Sequence, residues 1–347
     1  MSRKCNALFV TTPRLRTYLR TAGEPGAEAV VFVHGNTATS RFWEDVMLPL
    51  PTSVYAVAPD LRGYGRSETL PVDARRGVRD WSDDVHALVG ALGIKAVHLV
   101  GWSMGGGVAM QYTIDHPEMV KSVVLVSPVS PYGFSGTRGL DGEACQPDFA
   151  GSGAGGVNRN FLALMKAGNI EHGADPMLPR NVLNYTFYKP PFRSAMEDDY
   201  LADFMLTAVG DDNYPGDFIP SPNWPFYAPG GRGTLNAFSP KYFCVRDFVN
   251  VPSRPPVLWI RGADDQLVSD SSLWDIAVLG KMGAVPGWPG ESVCPPQPMV
   301  GQMRALLNQY ATAGGSYREV VFTDCGHSPH IEKTDDFVKA LFEHLNL

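Results

Sequence analysis

Short runs of consecutive apolar residues, each closed by glycine, proline or a polar turn, alternate along the chain with stretches in which apolar residues recur every three or four positions. The runs fall at 29–33, 54–58, 97–100 (interrupted by His98), 123–126 and 257–260, each the length of a buried strand, and the last strand is read at 318–322, which opens on Arg318-Glu319. Leu15, Thr17 and Leu19 alternate with polar neighbours and predict a half-exposed early strand ending at Gly23. Helical spacing follows at 40–48, which stops before Pro49, and at Val78, Trp81, Val85, Leu88, Val89 and Leu92, which Gly93 closes. It returns at 299–312 and at 335–345, where Phe337, Leu341 and Leu345 face inward and Thr334 is read as the N-cap. Strands alternating with helices imply an α/β chain with a mostly parallel, doubly wound sheet covered on both faces. Ligands in such sheets sit at the carboxyl ends of the strands.

The alternation breaks between 131 and 250. This stretch is rich in glycine, proline and aromatic residues, and only 160–166 and 198–207 look helical. Disordered segments are poor in aromatics, so it reads as a folded insertion. The expected organisation is a core made of 1–130 and 251–347, with 131–250 as a cap packed over the sheet edge. A second irregular stretch covers 280–298.

A chain of 347 residues can bury a large core. Its net charge of −7 argues against nucleic acid or an anionic membrane surface as partner. No apolar stretch reaches the roughly 18 residues needed to span a bilayer. The N-terminal apolar run ends at Thr11-Thr12-Pro13, too early for a secretory signal. Five widely spaced cysteines suit neither a disulfide framework nor a zinc site, which makes a reducing cytoplasm the expected compartment. No metal and no cofactor is expected, and homo-oligomerisation is left open.

The chemistry centres on Gly101-Trp102-Ser103-Met104-Gly105. A Gly-x-Ser-x-Gly segment between a strand and a helix is the setting of a nucleophile elbow, in which a strained turn projects the serine hydroxyl above the sheet. Glycines remove side chains that would collide across such a turn. The helix N-terminus that follows aims free N–H groups at the reacting centre, with that of Met104 placed to bind an oxyanion. A serine hydroxyl needs a base, and the base needs a partner that fixes its tautomer. His327 follows the last predicted strand in Asp324-Cys325-Gly326-His327 and is the candidate base; His330, on the same loop, is the alternative. His86, His98, His116 and His344 lie within predicted elements, at a helix end or near the terminus. Two adjacent acids, Asp264 and Asp265, follow the strand at 256–260.

The chain resembles the α/β-hydrolase superfamily, in its branch of serine esterases, lactonases and haloperoxidase/perhydrolase-like enzymes. The resemblance rests on Val31-Phe32-Val33-His34-Gly35-Asn36, Asp60-Leu61-Arg62-Gly63-Tyr64-Gly65-Arg66-Ser67, Gly101 to Gly106, Gly262 to Val268 and Gly326 to Glu332. It covers about 29–130 and 255–347 and does not extend to the insertion. It implies an α/β-hydrolase fold in which Ser103, His327 and Asp265 form the triad, with Asp264 as the alternative acid. The backbone N–H groups of Asn36 and Met104 would form the oxyanion hole. His34 and the 60–67 turn are read as structural. The interval from Asp265 to His327 is longer than the family norm, and Thr334 stands where the family commonly has proline.

The expected activity is hydrolysis of a carboxylic ester or lactone through an acyl-enzyme. Acyl transfer or carbon–carbon bond hydrolysis by the same triad is the alternative, as is a ligand receptor on the same fold. The aromatic inventory of the insertion (Tyr185, Phe187, Tyr188, Phe192, Phe204, Trp224, Phe226, Tyr227, Phe238, Tyr242 and Phe243) and its acidic clusters, Glu197-Asp198-Asp199 and Asp211-Asp212, point to an uncharged, largely apolar small-molecule substrate.

Overall fold

The computed structural model describes residues 3–347. Eight strands form its central sheet: β1 (Asn6–Thr11), β2 (Arg16–Ala22), β3 (Glu28–Val33), β4 (Val54–Pro59), β5 (Val97–Trp102), β6 (Val120–Val126), β7 (Val257–Gly262) and β8 (Tyr317–Phe322). Their order is β1-β2-β4-β3-β5-β6-β7-β8. β2 runs antiparallel to both β1 and β4, and every other pairing is parallel.

Apolar side chains fill both faces because successive residues of the inner strands point in opposite directions. On one face Val31, Val33, Leu99, Val123 and Trp259 pack against three helices. These are α1 (Arg79–Ala91), through Val85 and Leu88, α2 (Met104–Asp115), through Val108, and Met299–Thr312, through Leu306. On the other face Val30, Phe32, Val100, Val124 and Ile260 meet Trp43 and the last helix, Thr334–Leu345, through Phe337 and Leu341. Each fully buried Val, Leu or Phe contributes about 1.5–3 kcal/mol.

β1 has no counterpart among the predicted strands. It is an edge strand with exposed and half-buried residues only, so it carries no buried apolar run to read. Phe9 rests on Tyr18 and under the Arg16 guanidinium. The helix expected at 40–48 is a 3₁₀ turn, Ser40–Trp43, followed by a single α turn, Glu44–Met47. Thr334 is not an N-cap: it is the first helical residue, and its hydroxyl donates back to the carbonyls of His330 and Ile331.

The segment 131–250 contributes to both apolar faces. Phe161, Tyr200 and Phe204, on the helices Arg159–Lys166 and Glu197–Phe204, join the cluster that holds Trp43 and Trp102. Phe238, Phe243 and Phe248 join the opposite one.

Backbone strain gathers at the carboxyl edge of the sheet. Thr37, Ser103, Ser127 and Asp324 follow β3, β5, β6 and β8, and all four have positive φ, from 40° to 57°. Non-glycine residues in this region are costly and persist where packing over-determines them. Part of that packing is visible at Gly105. A Cβ there would lie 2.3 Å from the Val33 carbonyl oxygen and 2.6 Å from that of His34. Gly105→Ala is therefore expected to destabilise the protein by about 3 kcal/mol or more. Urea unfolding monitored by tryptophan fluorescence measures it.

Candidate active site

Ser103 ends β5 with φ 57° and ψ −119° and opens α2. Its amide donates to the Val126 carbonyl at 2.9 Å, and its own carbonyl accepts from Gly106 and Val129 at 3.0 Å each. Three backbone bonds thus lock the turn. The hydroxyl is not spent as a helix cap. A Cβ on Gly35 would sit 3.0 Å from the Cβ of Ser103, so the His34-Gly35-Asn36 loop lies directly beside the serine. Among the described residues, neither the Asn36 nor the Met104 amide is engaged by a backbone acceptor in the turns and loops.

His327 is buried on the loop after β8, and its Nδ1 lies 2.8 Å from Oδ2 of the buried Asp265. The other carboxylate oxygen, Oδ1, accepts from the Leu267 and Val268 amides at 2.8 and 2.9 Å, which fixes the rotation of the carboxylate. With Nδ1–H donated to Asp265, Nε2 carries the free lone pair. Asp264 points elsewhere. It is 42 % exposed and pairs with Lys189 at 3.1 Å, and Lys189 also reaches Asp324 at 2.7 Å.

The long interval between Asp265 and His327 does not separate them. β7 and β8 are parallel neighbours in register from Val257↔Tyr317 to Gly262↔Phe322, and the loops beyond them are joined by Asp264 N–H to the Cys325 carbonyl at 2.9 Å. The extra residues loop out after the short helix Ile276–Lys281.

His330 faces the apolar core. Its ring lies 4.4 Å from that of Trp43 and 4.6 Å from that of Trp102, fully buried, and desolvation holds its pKa well below the usual histidine range. His34 is equally buried. Its Nε2 accepts from the Leu61 amide at 2.9 Å and its Nδ1 meets the Gly35 carbonyl at 2.7 Å. Burial lowers its pKa to about 4, so it is neutral and structural. In the 60–67 turn the Asp60 carboxylate accepts from the Ser40 and Arg66 amides, a structural use as well.

Four contacts had no sequence signal. The Trp102 indole N–H donates to the His327 carbonyl at 2.9 Å, tying the base loop to the residue beside Ser103. Glu332 accepts from Gly326 N–H at 2.9 Å and from Lys189 N–H at 2.8 Å, gripping the same loop from behind. The buried Tyr64 hydroxyl donates to Asn36 Oδ1 at 2.8 Å and lies 3.9 Å from Met104 Sδ. Phe187, at the end of the π-helical turn Leu183–Phe187, places its ring 6.4 Å from that of His327 and 5.4 Å from that of Trp102. Only the residue type of Phe187 could be picked out beforehand, as one aromatic among many. A separate cleft of about 390 Å³, lined by Arg62, Arg75, Arg76 and Arg232 among others, includes none of these residues.

Residues 28–287 match the family model of the alpha/beta hydrolase fold. The chain belongs to the α/β-hydrolase family. The match ends before His327, so the placement of that residue rests on the geometry above. A dihydrolipoyllysine-residue acetyltransferase component of an acetoin cleaving system, from Cupriavidus necator, is 42% identical over 112 residues, 32% of this chain and 29% of that protein. A 2-hydroxymuconate semialdehyde hydrolase from Pseudomonas sp. strain CF600 is 37% identical over 131 residues, 37% of this chain and 44% of that protein. The match thus spans less than half the length of these curated relatives. An esterase from Exiguobacterium antarcticum has the same fold, with a TM-score of 0.61 at 16% identity over 99% of this chain and 100% of that one. So does 2-hydroxy-6-oxo-6-phenylhexa-2,4-dienoate hydrolase from Rhodococcus sp. strain RHA1, with a TM-score of 0.59 at 18% identity over 99% of this chain and 100% of that one. No helix among the described residues is long and apolar enough to cross a membrane.

The buried His34 makes stability depend on pH. Its folded pKa of about 4 lies below the ordinary value of 6.5, so between these two values the unfolded chain binds the extra proton. Stability from this group is complete above 6.5 and is lost as pH falls toward 4, at up to about 1.4 kcal/mol per pH unit. His34→Gln is expected to flatten the stability–pH slope in that window by about this amount, measured by urea unfolding at pH 7, 6 and 5. On the triad expected from the sequence, Asp265→Asn lowers kcat by about 10⁴-fold, as loss of a triad aspartate does. Asp264→Asn changes kcat by less than about tenfold. Steady-state kinetics on one ester gives both numbers.

Proposed function

We propose that the protein is a serine hydrolase that cleaves a carboxylic ester or lactone of an uncharged, largely apolar substrate. The observation that carries this reading is the buried His327–Asp265 pair, held at 2.8 Å and tied through Trp102 to the strained Ser103 turn. In this reading Nε2 of His327 takes the Ser103 proton as the hydroxyl oxygen attacks the carbonyl carbon. The Asn36 and Met104 amides receive the charge that develops on the carbonyl oxygen. Collapse of the tetrahedral intermediate expels the alcohol, which takes the proton from His327 and leaves an acyl group on Ser103. Water, deprotonated by His327, then releases the acid.

The substrate preference rests on the apolar surroundings of His327. Phe187 reaches its ring from 131–250, in keeping with that segment acting as a cap. Most of the other aromatics are claimed by the core, Phe204, Phe238 and Phe243 among them. The acidic clusters carry less of the argument than their sequence suggests. Arg180 pairs with Glu197 and Asp198, Arg41 with Asp199, and Arg232 with Asp212, so part of their charge is offset locally.

Carbon–carbon bond hydrolysis by the same three residues is the second reading, favoured by the 37% identity to the 2-hydroxymuconate semialdehyde hydrolase. Size-matched neutral and anionic esters, together with 2-hydroxymuconate semialdehyde, separate the two. Neutral esters are expected to lead in kcat/KM. An anionic ester ahead by tenfold, about 1.4 kcal/mol in the transition state, removes the uncharged-substrate reading. Faster turnover of the semialdehyde than of any ester moves the assignment to carbon–carbon hydrolysis. Ser103→Ala is expected to lose about 10⁶-fold in kcat with an unchanged circular dichroism spectrum. Near-native ester turnover by that variant would end both readings.

A further inference from the structure

Two cysteines far apart in sequence meet where the two irregular stretches come together. Cys294 is buried in the small apolar cluster of Trp224, Ile276 and Ala277, Cys145 packs against that same cluster, and each thiol perturbs the titration of the other. Each backbone is anchored. Cys145 follows the short hairpin of Thr137–Arg138 and Glu143–Ala144, and its amide donates to the Gly136 carbonyl at 2.9 Å. The Cys294 amide donates to Gly290 at 3.0 Å, and its carbonyl accepts from the Trp288 indole at 2.9 Å. The two segments are also clasped to one another. Buried Asp275 accepts from the Ser135 hydroxyl at 2.9 Å and from the Gln297 amide at 2.7 Å, while the Gln297 side chain donates to the Gly133 carbonyl at 3.0 Å. The two segments that carry the cysteines are therefore held together by a frame that does not depend on the thiols.

We propose that Cys145 and Cys294 form a reversible disulfide site, closed by exchange with a low-molecular-weight disulfide of the glutathione type. Cys145 is the attacking group, being half-buried where Cys294 is fully buried. The neighbouring Cys294 thiol favours its thiolate. The Cys145 thiolate attacks one sulfur of the small disulfide, a mixed disulfide forms, and one small thiolate leaves. Cys294 then loses its proton and attacks Sγ of Cys145, which expels the second small thiolate. Two protein thiols are oxidised, one small disulfide is reduced to two thiols, and the two protons pass to the released thiolates. The bridge would join 131–250 to the interval between Asp265 and His327. It stands independently of the proposed hydrolysis.

The test uses the full chain under native conditions, incubated with oxidised glutathione, capped with N-ethylmaleimide and digested with trypsin without reduction. Residues 139–159 and 282–304 are tryptic peptides with one cysteine each. They are expected to appear as one linked species, and titratable thiols fall from five toward three. Cys145→Ser and Cys294→Ser are each expected to abolish that species. Dithiothreitol restores the free thiols. Free thiols at both positions after glutathione treatment, glutathionylation confined to the exposed Cys244, or a linkage to any other cysteine would overturn the proposal.

Discussion

The turn at Ser103 is the constraint around which the edge of the sheet is built. A serine at φ 57° does not stay there on its own account. It stays because β5 hands the chain to α2 in a space too narrow for any other path. β3 presses against Gly105 from one side, and the Val126 carbonyl holds the Ser103 amide from the other. The same crowding brings Gly35 against Ser103 and so sets where Asn36 lies. In this way strand packing, a matter of buried valines and phenylalanines, sets the position of the Ser103 hydroxyl and of the neighbouring backbone amides.

The second half of the site is assembled by sheet register. Asp265 and His327 are far apart in the chain, yet both lie just beyond the ends of adjacent parallel strands. Pairing β7 with β8 therefore brings them together whatever length of chain intervenes. Glu332 and Lys189 then fix the loop from outside, one with a partly buried carboxylate and the other with a surface ammonium. The ammonium pairs with both Asp264 and Asp324 and offsets one of their two negative charges.

Legibility followed burial. The inner strands could be read because both of their faces are covered, which leaves unbroken apolar runs such as 29–33 and 123–126. β1 could not, because an edge strand with Phe9 open to solvent carries no such run. Ser103 and the loop histidine stood out because a strained turn and an ordered set of residue types leave marks in the sequence. Asp265 and Asp264 are chemically identical and adjacent, and only the direction of each side chain distinguishes them. Tyr64, Trp102 and Glu332 were invisible as contacts, since each acts on a residue far away in the chain. The segment 131–250 was legible only as a composition, because its helices are short and its rings are shared with the sheet.

Trp102 changes what the Gly-x-Ser-x-Gly pattern means in this chain. The position before the serine is formally a free letter, open to any residue that fits the strand. Here its indole N–H holds the backbone of His327, and its ring packs against that of the buried His330. A change at that letter would leave every reacting atom in the protein and still loosen the loop that carries one of them. The Ser103 turn and the His327 loop are thus linked mechanically through Trp102, and a library that varies this turn would move the histidine along with it.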